Sequence, residues 1–280
     1  MKLGTCLYNF IWDLPLPDAL ERAAGYGFRA VEIMTIAPQL DARQFGPRER
    51  DTVREIVERL GVRVVSLNPT FIDLNLASRN DTFRRESVNE VKATIDVAAA
   101  IGAEIVVIGP GRRHPLVLEP LELSDSLAHP AMRECIDYAA ERGVIYGFEN
   151  ITSLYMVRSE EIAAFVDDVD SPYCKAVYDV ANALYVEDPA AGIRTLGDRI
   201  CHVHLSDTDG KVPAHWPVGM GRVDFASVAG ALREIGFDRW SMLETTWMED
   251  PDFAIRSSLT ALEPLGWSTQ TEPAPAGVAA

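Results

Sequence analysis

The fold class this sequence predicts is an α/β (β/α)8 TIM barrel in a single domain. Three observations predict it: eight short apolar runs, amphipathic segments between them, and a length that fits one such unit. The chain has 280 residues, and this architecture routinely occupies about 250 as one domain. The apolar runs are residues 2–8, 30–34, 63–67, 104–108, 144–148, 174–178, 200–205 and 239–243. Several are rich in Val and Ile and apolar on both faces, as parallel strands buried between two layers must be. A doubly wound sheet would need fewer strands at this length, or a second domain, and no linker interrupts the alternation.

The intervening elements follow in order. Segments 48–60, 83–101, 131–142, 159–168 and 225–235 carry apolar residues at helical spacing. Gly61, Gly102, Gly143 and Gly236 each follow such a segment and precede a strand, which is the usual helix stop. Residues 110–124, with Pro115 and Pro120, read as a long loop that forms part of a lid. The barrel is expected to span 1–267; the polar, Pro- and Ala-rich tail 268–280 is expected to be disordered. Right-handed crossovers put every strand C-terminus on one face, and the active site belongs there.

Composition narrows the function. A formal charge of −16, with no Lys/Arg cluster, argues against nucleic acid as a partner, since phosphate contact needs a basic footprint. The N-terminus lacks the long apolar stretch of a signal peptide, and no apolar run nears the roughly 18 residues of a membrane span. Cys6, Cys135, Cys174 and Cys201 are scattered; they read as buried free thiols, which suits a reducing cytoplasm.

The chemistry is carried by four strand ends. The fifth to eighth strands run into Glu149, Asp179, His204 and Glu244. Any one of these alone is as readily a capping acid or a loop residue. Four on successive strand ends of one barrel face are different, because crowded, buried carboxylates repel one another and resist desolvation. A divalent cation resolves both problems. Three carboxylates and one imidazole form a mostly hard donor set that suits Mn²⁺ first, with Mg²⁺, Co²⁺ or Zn²⁺ admitted, and leaves room for substrate oxygens.

The motifs around these residues are Phe148-Glu149-Asn150, Tyr178-Asp179-Val180-Ala181-Asn182, His202-Val203-His204-Leu205-Ser206-Asp207 and Leu243-Glu244-Thr245. Together with the stretch from Asp209-Gly210 through His215, Pro217, Gly219 and Gly221 to Asp224-Phe225, they resemble the xylose-isomerase-like barrels, the sugar phosphate isomerase/epimerase family. The resemblance runs from Gly4 to about Leu265. It implies that Glu149, Asp179, His204 and Glu244 are the four metal ligands. In the ketose 3-epimerase members it also implies that the two glutamates move protons on opposite faces of the substrate. One position departs: where those epimerases carry His three residues after the aspartate, this chain has Asn182, as members of other specificity do. Family members are often dimers or tetramers, so a homo-oligomer is the expectation by analogy.

Other residues have weaker claims. His202, two residues before His204, faces the same side of its strand and reads as a packed, hydrogen-bonded histidine. Glu32 interrupts the apolar second strand and reads as a partner of a ligand rather than a direct contact. His215 in its polar loop, Arg112 after Gly109-Pro110-Gly111, and Asn182 are candidate substrate contacts. Arg113 and His114 share that turn, where solvated charge is the simpler alternative. Tyr8, Phe10, Trp12, Trp216 and Trp247 fall near mouth loops, and Trp12 is the aromatic selected as a sugar-facing wall.

The function these residues predict is a divalent-metal-dependent sugar isomerase or epimerase, acting through an enediolate on a small polyhydroxy carbonyl compound. Glu149 and Glu244 are its proton-transfer groups. The alternative is a lyase at the same site, of inosose or dehydroshikimate dehydratase type or cleaving a carbon–glycoside of an oxidised sugar. A multi-metal phosphodiesterase is disfavoured by only five histidines and by the negative charge.

Overall fold

The structure, a computed structural model, describes residues 1–270 apart from 71, 115, 153 and 154. Eight strands close into one parallel barrel in sequence order: β1 (Lys2–Cys6), β2 (Ala30–Met34), β3 (Arg63–Asn68), β4 (Ile105–Ile108), β5 (Ile145–Glu149), β6 (Cys174–Asp179), β7 (Ile200–Leu205) and β8 (Trp240–Leu243). Closure is made by β1 against β8, from Lys2 opposite Trp240 to Thr5 opposite Leu243. The helices are α1 (Leu16–Gly25), α2 (Pro47–Leu60), α3 (Asp81–Ile101), α4 (Leu121–Ala140), α5 (Ser159–Val169), the short α6 (Val180–Ala183), α7 (Pro189–Leu196), α8 (Phe225–Glu234) and α9 (Pro251–Leu262).

Each helix faces the barrel with one apolar stripe. In α1, Leu16, Ala19, Leu20 and Ala23 are buried, the i, i+3, i+4, i+7 spacing of one helix face. A fully buried Leu contributes about 1.5–3 kcal/mol. Outward side chains such as Tyr146, Phe148, Val203 and Leu205 join that helix-facing layer. Ala30, Val65, Ile105, Val107, Val177, Trp240 and Met242 fill the barrel itself. The barrel is thus a packed core, open to chemistry only at its rim.

The predicted runs and helices are present with shifted ends. The first strand stops at Cys6, and Leu7–Phe10 wind into a 3-10 turn that carries Tyr8 toward the mouth. The expected loop 110–124 is shorter: α4 begins at Leu121 and continues through Pro130 to Ala140. Pro130 lacks the N–H that would bond the preceding turn, so it reads as a helix start although the packed helix runs through it. Trp267 is buried, with its indole N–H on Ser241 Oγ at 3.1 Å. Ser268, the first residue of the expected tail, is tied to the barrel base by Leu3 N–H to Ser268 O and Ser268 N–H to Met1 O, both 3.0 Å. Residues 271–280 of that tail, and Pro115, lie outside the described residues. All four cysteines are buried and unbridged. Among the described residues no helix is long and apolar enough to cross a membrane.

Candidate metal centre and substrate cavity

β5 and β6 end in Glu149 and Asp179, His204 is the fifth residue of β7, and Glu244 follows β8 directly. Register brings them together: Asp179 lies opposite His204, and His204 opposite Met242, two residues before Glu244. Side chains two apart share a strand face, so each of these residues sits one layer above the filled interior. All four are buried, and one donor atom from each lies within 4.8 Å of the others. His204 Nδ1 stands 2.9 Å from Glu149 Oε1 and 3.1 Å from Glu244 Oε2. The predicted ligand set is therefore one cluster.

Neighbouring residues fix its members. Asn150 grips the Asp179 backbone twice, donating from Nδ2 to the carbonyl at 2.9 Å and accepting from the amide at 2.7 Å. Asp179 Oδ1 accepts from the Asn182 amide at 2.7 Å and so caps α6. Its other oxygen, Oδ2, is buried without a hydrogen-bond partner among the described residues, as is Glu244 Oε2. Orphaned carboxylate oxygens cost about 1–3 kcal/mol or more each when buried. A cation bound by both removes that cost, so the residues present fit a divalent metal.

The electrostatics agree. Burial, reinforced by Glu244 and Asp179 and only partly offset by His204, pushes Glu149 up to about 7. Burial likewise pushes Asp179 up to about 6, against the opposing pull of His215 and His204. Glu244 feels the same burial, but His204 and His215 outweigh it and hold its carboxyl at about 2. Burial would lower His204, yet Glu244, Glu32 and Glu149 hold it well above the usual imidazole range. With no cation the cage keeps protons to limit its own repulsion; a divalent ion would take their place.

His215 belongs to this cluster. It sits on the loop after β7, with Nδ1 3.3 Å from Glu244 Oε2 and Nε2 3.7 Å from Asp179 Oδ2. Burial opposes its protonation, but Asp179 and Glu244 raise it to about 9. The loop is shaped by Asp207, whose buried carboxylate accepts from the amides of Gly219, Gly221 and Val223 at 2.8–3.0 Å. A Cβ on Gly221 would lie 2.3 Å from Asp207 Oδ1, so this turn closes only around glycine. The His215 carbonyl then accepts from Thr246 N–H at 2.8 Å, tying the loop to the end of β8.

Above the cluster lies a cavity of about 350 Å³, lined among others by Tyr8, Asn68, Arg112, Asn182, His215 and Glu244. That volume is at the lower end of the ~300–1,000 Å³ of small-molecule sites, suited to a compact molecule. Three of the four expected substrate contacts, His215, Arg112 and Asn182, line it. Asn182 is oriented by the Thr152 hydroxyl, which donates to its Oδ1. The fourth does not: Trp12 is 54% exposed just beyond the 3-10 turn and is not among the lining residues. Tyr8, on the turn itself, takes the aromatic position that sequence reasoning assigned to Trp12. His202 is packed and hydrogen-bonded, as expected.

Ser66 and Asn68 went unremarked in the sequence, and Asp207 was named only as the end of a motif with no role of its own, yet each supports the site. A signal existed for two of them: Ser66 and Asn68 alternate with apolar residues in Arg-Val-Val-Ser-Leu-Asn, the pattern of a polar inward face at a strand end. Asp207 carried none, because its role is to accept amides from a loop more than ten residues away.

Comparison with known proteins places this geometry. An uncharacterized protein of Methanocaldococcus jannaschii, MJ1311, is 28% identical over 260 residues, covering 89% of this chain and 85% of that one. The fructoselysine 3-epimerase of Shigella flexneri is 22% identical over 269 residues, covering 92% and 96%. A solved D-tagatose 3-epimerase-like protein superposes with a TM-score of 0.83 at 25% identity, covering 95% of this chain and 97% of that one. The model of the xylose isomerase-like TIM barrel family matches residues 20–265, and the chain belongs to that family.

Proposed function

We propose that this chain is a divalent-metal-dependent sugar isomerase or epimerase that moves a proton at the carbon beside a carbonyl of a small polyhydroxy compound. The observation that carries the reading is the pair Glu149 and Glu244. They come from non-adjacent strands, are both buried, and flank the same nitrogen of His204 at 2.9 and 3.1 Å. The sugar 3-epimerases among its relatives support the isomerase/epimerase class.

Glu149, Asp179, His204 and Glu244 would hold the ion, Mn²⁺ by preference of the donor set. When bound, such an ion polarises a substrate carbonyl and makes the adjacent C–H acidic. One glutamate then takes that proton, leaving an enediolate, and the other returns a proton. Return to the opposite face of the same carbon epimerises, and return to the neighbouring carbon, with a proton passing from the hydroxyl oxygen to the former carbonyl oxygen, isomerises. Asn182, Arg112 and His215 orient hydroxyls in the cavity. The barrel floor of Val177 and Met242 keeps water from entering from below.

The test is a screen of ketoses, inososes and 3-oxo-glycosides with Mn²⁺ in deuterated water. A product isomeric with its substrate, carrying deuterium beside the carbonyl, is expected. A product lighter by one water would replace the reading with a lyase, and an isomer without solvent deuterium would replace the glutamate pair with hydride transfer.

A further inference from the structure

One buried carboxylate of the barrel is not used by that chemistry. Glu32 lies on β2, fully enclosed, at a register shift between Val31 and Glu32 where β2 meets β3. The extra residue of that shift, Val65, lies on β3; Glu32 faces inward by strand alternation from Ala30 of the barrel interior, and its carboxylate lies against His202 and His204. Ser66 Oγ donates to its Oε2 at 2.6 Å, and Asn68 Nδ2 donates to its Oε1 at 3.1 Å. The Nε2 atoms of His202 and His204 both stand 3.2 Å from Oε2.

We propose that Glu32 is a positioning residue: it holds the Nε2 proton of His204, so that Nδ1 presents its lone pair to the cation held with Glu149, Asp179 and Glu244. The inference rests on the metal reading above and adds the residue that orients its one nitrogen ligand. A neutral imidazole has one N–H and one lone pair. His204 meets Glu32 through Nε2 and the Glu149–Glu244 pair through Nδ1. An ionised carboxylate only accepts, so the nitrogen facing Glu32 must be the protonated one. The other nitrogen is then the donor to the ion, and the negative partner strengthens it.

A rival use of the same atoms is a second cation between Glu32, His202 and His204, which are close enough to share one. The donors around Glu32 argue against it. Ser66 and Asn68 already point hydrogens at both carboxylate oxygens, and a cation there would face those hydrogens.

The experiment is titration of Mn²⁺ alone into the chelated full-length chain and into Glu32→Gln, followed by calorimetry. One ion per unmodified chain is expected. Glu32→Gln should bind it roughly 10–100-fold more weakly, in a chelated protein that still melts cooperatively. Equal affinity in a folded Glu32→Gln protein overturns the inference and leaves the metal reading standing. Two ions falling to one also overturns it, by making Glu32 a ligand. An unmodified chain that binds none removes the metal reading and this inference with it. If Glu32→Gln does not fold, Glu32→Asp, which keeps the charge but draws it back from His204 Nε2, decides in the same titration: weaker binding supports the inference, and unchanged binding overturns it.

Discussion

The two halves of the barrel mouth are built from the same kind of strand but finish differently. β5 through β8 end in Glu149, Asp179, His204 and Glu244, whose buried oxygens are partly unsatisfied. β1 through β4 offer Tyr8, Asn68, Thr70 and Arg112 to the cavity, and their buried carboxylate, Glu32, is saturated with donors. One half leaves bonding capacity unspent where a ligand can use it; the other satisfies itself and supplies wall and support. Burial is common to both halves. What separates chemistry from scaffolding is whether the buried polar atoms already have partners.

Exchanging a single oxygen in the first half should have the largest effect. Glu149→Gln and Glu244→Gln keep shape and much of the metal binding but cannot move a proton, so turnover should fall by roughly 10²–10⁴ and excess Mn²⁺ should not restore it. Asp179→Asn should act through lost metal affinity and recover in part with added Mn²⁺. Steady-state kinetics across a Mn²⁺ series checks both. If the Gln variants recover fully, the glutamates are ligands only and the halves differ less than described.

Removing the metal should have the next largest effect, and it should depend on pH. Glu149 near 7, Asp179 near 6 and His215 near 9 are all raised above their ordinary values. Each therefore contributes stability that is complete below its unfolded pKa and lost as pH rises through the folded one. Glu244, held near 2, works the other way, and only below about 4.5. The chelated protein should thus lose melting temperature steadily between about pH 5 and 9. Mn²⁺ at 100 times its Kd should restore about 2.7 kcal/mol, roughly 5–10 °C for a chain of this size. The gap should widen as pH rises and ligand protons cease to compete. Scanning calorimetry with and without chelator at several pH values measures it. Superimposable curves at pH 7.5 would mean that the cage binds no cation.

The second half should respond least. Arg112→Ala removes a cation from the cavity lining and should raise KM roughly tenfold, the equivalent of about 1.5 kcal/mol for a charged hydrogen bond, with kcat nearly unchanged. Trp12→Ala should leave both constants within error, because its ring stands outside the lining. A large kcat loss from Arg112→Ala would move this half into the chemistry.

Much of this was legible in the one-dimensional pattern. Eight apolar runs with helical segments between them, closed by Gly61 and Gly102, follow from the periods of strand and helix, which are local. The four candidate ligands were legible because each is a polar residue at the end of an apolar run, and parallel strands bring such ends to one face. Strand alternation also put His202 and His204 on one side. Tertiary structure alone decided the rest. Pro130 lies inside α4 because helix packing outweighs a local breaker, Ser268 docks because β1 leaves it backbone partners, and Tyr8 rather than Trp12 faces the cavity because β1 ends in a 3-10 turn. Glu32 was legible as an acid in an apolar strand, but its partners Ser66, His202 and His204 are fixed only by barrel closure, and Asp207 shapes the His215 loop by accepting distant amides. Periodicity reports which face a side chain takes along its own element; partners contributed by another element exist only once the chain has closed on itself.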